Sequence, residues 1–256
     1  MKRIITLTTD FGLIDHYTGV MKGVIYSINP DANIVDVTHN VPPQDVFRGA
    51  FILRNTYRFF PKGTIHVVVV DPGVGSKRRP ITVQADQNFF VGPDNGLFTF
   101  IYKESKSVKI NEITNSKFLL PETSNTFHGR DILAPVAARL SLGVSIRDLG
   151  DEVLDPIKFE IIDPEVYGDE IIGKVIYEDS FGNLITNIPA KMIKSGFRIY
   201  IDKWVIDSVS KSYSEVQRGE LLAIVGSSGL LEFSVNQGRA SDLIRSKSSR
   251  VYIRRI

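Results

Sequence analysis

Asp10 and Asp71 each close an apolar run, 3–9 and 64–70, that reads as a buried strand. In an open sheet flanked by helices, ligands bind outside the carboxyl ends of the strands. Two carboxylates at such ends could face one crevice and accept or hold a proton there. Each could equally be a turn aspartate bonding its own backbone. Asp71 also opens the stretch Asp71-Pro72-Gly73-Val74-Gly75-Ser76-Lys77-Arg78-Arg79, where glycines allow close backbone approach and an arginine supplies a permanent cation. Arg79 itself reads as a solvated surface residue. His128 precedes a helical pattern around 130–142, where the helix dipole disfavours the imidazolium and helps keep the ring neutral. A capping or packing histidine is the alternative. Further on, Asp179-Ser180-Phe181-Gly182-Asn183 couples an aromatic face to an amide. That pairing suits stacking and edge-reading of a purine, and equally an Asn-containing hairpin.

Other chemistries find no support. Asp10-Phe11-Gly12 lacks the remaining kinase motifs, and Gly73-Val74-Gly75 lacks the third glycine of a dinucleotide fingerprint. The four histidines (16, 39, 66 and 128) do not fall at metal-ligand spacing, and no cofactor or metal is expected. With no cysteine, disulfides and thiol nucleophiles are excluded. A formal charge of +2 gives no reason to expect a nucleic-acid or membrane-surface partner. No apolar run approaches the roughly 20 residues of a membrane span. The stretch after Met1-Lys2-Arg3 turns polar by Thr8 and Thr9, too soon for a signal peptide, so a cytoplasmic protein is expected.

The elements that must position these residues follow from periodicity. A helix carries Val20, Met21, Val24, Ile25 and Ile28 on one face and stops at Asn29-Pro30. Residues 33–38 read as a strand, and Asp45 can cap a helix running to about Phe60. Strands are expected at 80–85 and 88–92, followed by a tight turn at Gly92-Pro93-Asp94-Asn95-Gly96. In the helix around 130–142, Pro135 must sit near the first turn, and Gly143 is a natural stop. Apolar strands alternating with helices imply an α/β domain with a mostly parallel sheet over residues 1–150. Residues 151–170, with eight acidic side chains and one lysine, form the best linker candidate. From 171 to 256 the short strands 171–177, 184–188, 197–201, 221–225, 230–235 and 250–254 suggest a smaller β-barrel domain. The basic residues after Gly238 read as a solvated strand and tail.

Taken together, TTDFG at 8–12, KGVIYSINP at 22–30, VDVTH at 35–39, VVVVDPGVGSKRR at 67–79, VGPDNGLFT at 91–99, TFHGRDILAPVAA at 126–138 and FGNLITNI at 181–188 span nearly the whole chain. In these stretches the sequence resembles the S-adenosylmethionine hydroxide adenosyltransferases, relatives of the fluorinase and chlorinase enzymes. The resemblance implies an N-terminal α/β domain followed by a β-barrel, and hydrolysis of S-adenosyl-L-methionine to adenosine and L-methionine. The family's catalytic Asp-Arg-His set falls on Asp71, Arg78 and His128, which raises Arg78 over its neighbour. Asp10 matches the aspartate that holds the ribose hydroxyls, and Phe181 and Asn183 match the adenine pocket. Asp15, Asp179 and Ser227 match the methionine end, with the local spacing differing by one at Asp179. The resemblance also implies a homotrimer, with ligand between one subunit's α/β domain and its neighbour's barrel.

The sulfonium already carries a good leaving group, so what the site must supply is a nucleophile from water. Arg78 would favour hydroxide by its charge, and either Asp71 or His128 could take the proton. Competing readings are a halide-using member of the same superfamily and a non-catalytic S-adenosylmethionine or adenosine sensor. Against the halogenase pattern, the chain has Asp71 for a tyrosine, Val74 for a threonine, Gln44 for a tryptophan and Gly129 for a serine. It also lacks the insertion before Gly92. An ionised carboxylate beside the nucleophile would repel a halide but can accept a hydrogen bond from water.

Overall fold

The computed structural model describes residues 3–194, 196–244 and 249–255. The chain divides into two compact units, Met1–Phe159 and Glu160–Ile256. In the first, six strands form one sheet: β1 (Ile4–Thr9), β2 (Asn33–Thr38), β3 (Ile65–Val69), β4 (Pro80–Ala85), β5 (Asn88–Pro93) and β6 (Val108–Glu112). Their order is β2-β1-β3-β5-β4-β6. The first four in that order run parallel, and β4 lies antiparallel between β5 and β6.

β3 is buried along its whole length because helices cover both faces of the sheet. The side-chain period of two sends Ile65, Val67 and Val69 into one apolar core and Val68 and Val70 into another. On the first side pack α1 (Tyr17–Ile28), through Met21 and Ile25, and α4 (Ala134–Ser141). On the second pack α2 (Val46–Thr56) and α3 (Thr99–Glu104), through Leu53 and Ile101. Asp45 caps α2 by accepting from the Arg48 amide at 2.9 Å. The helix gives way to a short 3₁₀ turn at Tyr57–Phe59. The helical pattern near 130 is divided: Gly129–Leu133 form a π-helical turn that leads into α4, with Pro135 in the first turn of α4.

Arg79 departs from its solvated reading. It pairs with Asp94, whose side chain is 1% exposed, and with Asp155. Asp94 also accepts from the Ile157 amide, so the Gly92–Gly96 segment is an anchor as well as a turn. Residues 151–159 of the acidic stretch lie in the first unit, where Val153 joins the core around Leu53.

The second unit is a nearly closed, mostly antiparallel sheet with one short helix, α5 (Ala240–Leu243). Its strands are β7 (Glu165–Tyr167), β8 (Glu170–Glu178), β9 (Leu184–Pro189), β10 (Phe197–Ile201), β11 (Trp204–Ile206), β12 (Val209–Ser210), β13 (Leu221–Val225), β14 (Leu230–Val235) and β15 (Arg250–Arg255). The order is β11-β10-β15-β8-β9-β14-β13-β12, with β7 added against β8. Leu184, Ile188, Phe233 and Ile253 lie in its core. Of the basic residues after Gly238, Arg239 pairs with Glu178 and Arg254 with Glu170, while Arg245 and Lys247 lie outside the described residues. Among the described residues no helix is long and apolar enough to cross a membrane.

Candidate active site

β1 and β3 are parallel neighbours, so the residues that follow them emerge side by side. The Asp10 amide donates to the Val69 carbonyl at 3.3 Å, and both Asp10 and Asp71 line one cavity of about 600 Å³ in the first unit. His128, the residue before the π-helical turn, lines the same cavity. The two strand-end aspartates thus share a crevice, as their positions suggested.

The Gly-rich stretch folds back on itself. The Val74 amide donates to the Asp71 carbonyl and that of Ser76 to the Gly73 carbonyl, while the Ser76 hydroxyl accepts from the Arg78 amide. This returns the Arg78 guanidinium to Asp71, with Nε 3.0 Å from Oδ1 and Nη2 on Oδ2. Nη2 also lies 2.8 Å from His128 Nδ1. The Arg78 and Asp71 side chains are only 7% and 6% exposed. Arg78 is absent from the cavity lining, and its Nη1 is buried without a partner among the described residues. Gly75, at φ +76°, lies against the Asn125 carbonyl.

The segment carrying His128 is held by Asp131, which is fully buried. Asp131 accepts from the Ser124 amide and hydroxyl and pairs with Arg130. Burial alone would raise the Asp131 carboxyl; hydrogen bonds from Arg130 and Ser124 outweigh it and hold the group below the usual range. His128 is shifted down, first by burial and then by the Arg78 charge, so the neutral ring is favoured. Asp10 is shifted up, chiefly by burial and further by the nearby Asp71 charge, against hydrogen bonds that favour its ionised form.

One of those bonds comes from the Gln44 amide, 2.9 Å from Asp10 Oδ2. Gln44 lines the cavity and holds φ at +67°, a left-handed conformation unusual for a non-glycine residue. Phe11, Tyr17 and Phe127 form an aromatic wall, with ring centroids 5.2–5.7 Å apart. Residue type and spacing alone give Phe11, Tyr17 and Phe127 no role, and Gln44 stands out only as the replacement for a halogenase tryptophan. Their signal was adjacency, because Phe11 follows Asp10 and Phe127 precedes His128.

Asp15 is exposed in the β1–α1 connection, beside Leu13 and Ile14, which are 68% and 98% exposed. The remaining candidates belong to the second unit. Asp179 closes a turn, accepting from the Phe181 and Asn183 amides and from Asn183 Nδ2, each at 2.9 Å. The Phe181 side chain stands out of that turn, with the residue 74% exposed. Ser227 is exposed in the turn between β13 and β14. Among the described residues no three His, Asp or Glu side chains gather so as to hold a metal ion.

An α/β unit with a buried carboxylate–guanidinium pair bonded to a half-buried imidazole beside its strand ends, followed by a small barrel, defines a two-domain architecture with a ready site for acid–base chemistry. Residues 5–150 match the N-terminal domain model of the SAM hydroxide adenosyltransferases, and residues 173–251 match the C-terminal one. The chain belongs to this family. It is 39% identical over 245 residues to the (R)-S-adenosyl-L-methionine hydrolase of Salinispora arenicola, covering 94% of this chain and 93% of that one. A solved structure of an uncharacterized conserved protein from Thermotoga maritima superposes with a TM-score of 0.91 at 38% identity, covering 98% and 100% of the two chains. More distantly, the fluorinase of an Actinoplanes species is 28% identical over 212 residues, 72% of this chain and 71% of that one.

Proposed function

We propose that the protein hydrolyses S-adenosyl-L-methionine to adenosine and L-methionine by attack of water on the 5′-carbon. The observation that carries this reading is the Asp71–Arg78–His128 set, joined by hydrogen bonds at a cavity that Asp10 also lines. A pocket that only bound its ligand would have no use for a desolvated, fixed acid–base set. The carbon–sulfur bond of a sulfonium breaks to give a neutral thioether, so the difficulty lies with water, whose pKa is about 15.7 in bulk. A positioned general base typically contributes about 10²–10⁴-fold, and alignment of the nucleophile with the breaking bond adds to this.

In this reading Asp10 holds the ribose hydroxyls, its carboxylate oriented by the Gln44 amide. Phe181 stacks on adenine while Asn183 reads its edge, and Asp15, Asp179 and Ser227 take the methionine end. The active unit is a homotrimer, in which the α/β domain of one copy and the barrel of the next share a ligand. The exposure of Leu13 and Ile14 in the first unit and of Phe181 in the second supports this, since each unit of a single copy leaves large apolar side chains uncovered. A cytoplasmic location goes with the reading. From the names its relatives carry, the preferred substrate is the R epimer at sulfur.

The test is product analysis with each sulfonium epimer in ¹⁸O-water, with and without chloride or fluoride. Labelled adenosine under all halide conditions, formed faster from the R epimer, is the expected result. Substantial 5′-halo-5′-deoxyadenosine, or no turnover at all, would overturn the assignment. Trimeric sharing is tested by mixing inactive Asp10→Ala and Asn183→Ala variants, which should regain activity on subunit exchange.

A further inference from the structure

Three side chains at the cavity, Asp10, Asp71 and His128, are able to accept a proton; with Asp10 given to the ribose in the proposed reading, a single contact distinguishes the other two. A guanidinium has five N–H groups, no lone pair to offer, and stays protonated at any ordinary pH. Arg78 Nη2 lies 2.8 Å from His128 Nδ1, so Nδ1 must be the acceptor there. A neutral imidazole that accepts at Nδ1 carries its hydrogen on Nε2. Both nitrogens of the ring are then committed, one as acceptor to Arg78 and the other as donor. To accept a proton, His128 would have to give up the Arg78 bond and place N–H against N–H. The downward shift of the ring, set by burial and the Arg78 charge, agrees with this.

Asp71 is in the opposite position. Each carboxylate oxygen receives one bond from Arg78 and retains a further lone-pair direction for water. Asp71 and His128 line the cavity, while Arg78 lies outside the lining and bonds both. The charged groups that bear on the pair are Asp10, beside Asp71, and Asp131 behind His128.

We infer that Asp71 is the general base, that His128 is a hydrogen-bond donor orienting the water through Nε2–H, and that Arg78 is a positioning residue for both. The assignment of roles rests on the hydrolase reading; the tautomer does not. In the step, a water oxygen lone pair forms the C5′–O bond as the C5′–S bond breaks. The bonding pair leaves on sulfur as the neutral thioether of methionine, and the water proton passes to Asp71. Asp71 then releases that proton to solvent, closing the balance of one proton per turnover.

The experiment has two parts. Imidazole ¹⁵N–¹H correlation spectra of the wild-type protein without substrate should show His128 as the Nε2–H tautomer; the Nδ1–H tautomer would overturn the inference. In Arg78→Lys the His128 ring should titrate closer to its ordinary value and lose its single tautomer, with kcat falling more than KM rises. A purely structural arginine would leave the titration of His128 unmoved. Kinetically, His128→Gln, which can offer an amide N–H, should retain activity within about tenfold, whereas Asp71→Asn should lose about 10²-fold or more. The reverse order would make His128 the base. If the wild type releases no adenosine, the hydrolase reading falls and the role of Asp71 with it, while the spectra still decide the tautomer.

Discussion

Replacing Gly75 by alanine should damage catalysis without touching a catalytic side chain. Gly75 sits at φ +76°, and a Cβ there would lie 2.2 Å from the Asn125 carbonyl oxygen and 3.2 Å from its carbon. The left-handed backbone alone costs an L-residue about 1–2 kcal/mol. Relief of the overlap to an ordinary carbon–oxygen contact of about 3.3 Å requires the two loops to part by about 1 Å. Arg78 lies three residues beyond Gly75, and His128 lies three beyond Asn125. The same separation stretches the 2.8 Å bond between them out of hydrogen-bonding range. A misplacement of about 1 Å can cost about 10²-fold in rate. Adenosine release under saturating substrate should therefore fall by about that factor, while circular dichroism still reports the folded protein. Gly73→Ala is the control, because its Cβ would meet its neighbours no closer than 3.4 Å and its φ is not positive. Wild-type turnover in Gly75→Ala, or equal loss in Gly73→Ala, would show that this close approach does not set the site.

Gln44→Gly should retain the amide bond to Asp10, relieve the strain at φ +67° and raise the melting temperature by a few degrees. Gln44→Pro removes that amide hydrogen and cannot adopt the conformation, so KM should rise; an unchanged KM would refute the orienting role. Burial lowers His66 to about 3 in the folded protein from an ordinary 6.5. Its contribution to stability is thus fully present above about pH 6.5 and lost, at up to about 1.4 kcal/mol per pH unit, as pH falls toward 3. The decline of melting temperature between pH 6 and 4.5 should be shallower in His66→Asn, and identical slopes would contradict the buried neutral ring.

The backbone frame was legible wherever one residue pattern had a single physical outlet. The run ending at Asp71 is apolar apart from Thr64 and His66 because β3 is covered on both faces, and Asp45 announced α2 because its side chain caps the Arg48 amide. α3 and β6 were missed: six helical residues show less than two turns of period, and Val108–Glu112 alternates too weakly to stand out. Arg79 was misread because its partner Asp94 becomes a buried carboxylate only through tertiary packing, and nothing local records that demand. For the same reason spacing could not separate Arg78 from Arg79. The choice depended on which side chain the Gly73–Ser76 turns carry back to Asp71. The role of Gln44 was invisible because it is exercised by a backbone amide, which any residue but proline possesses.

The pairing of Asp71 with Arg78 also bears on how such a protein can change its nucleophile over evolutionary time. A lineage moving from water toward a halide must exchange this aspartate for a neutral residue, yet both partners are more than nine-tenths buried. Removing either one alone strands the other as an unpaired internal ion, at a cost of about 3–5 kcal/mol. That is a large part of the roughly 5–15 kcal/mol by which a folded domain is stable. Neither order of substitution gives a level path. An ancestor could cross only with stability in reserve, or by replacing the arginine and the aspartate together, so the ion pair acts as a historical barrier that keeps descendants of this site bound to water.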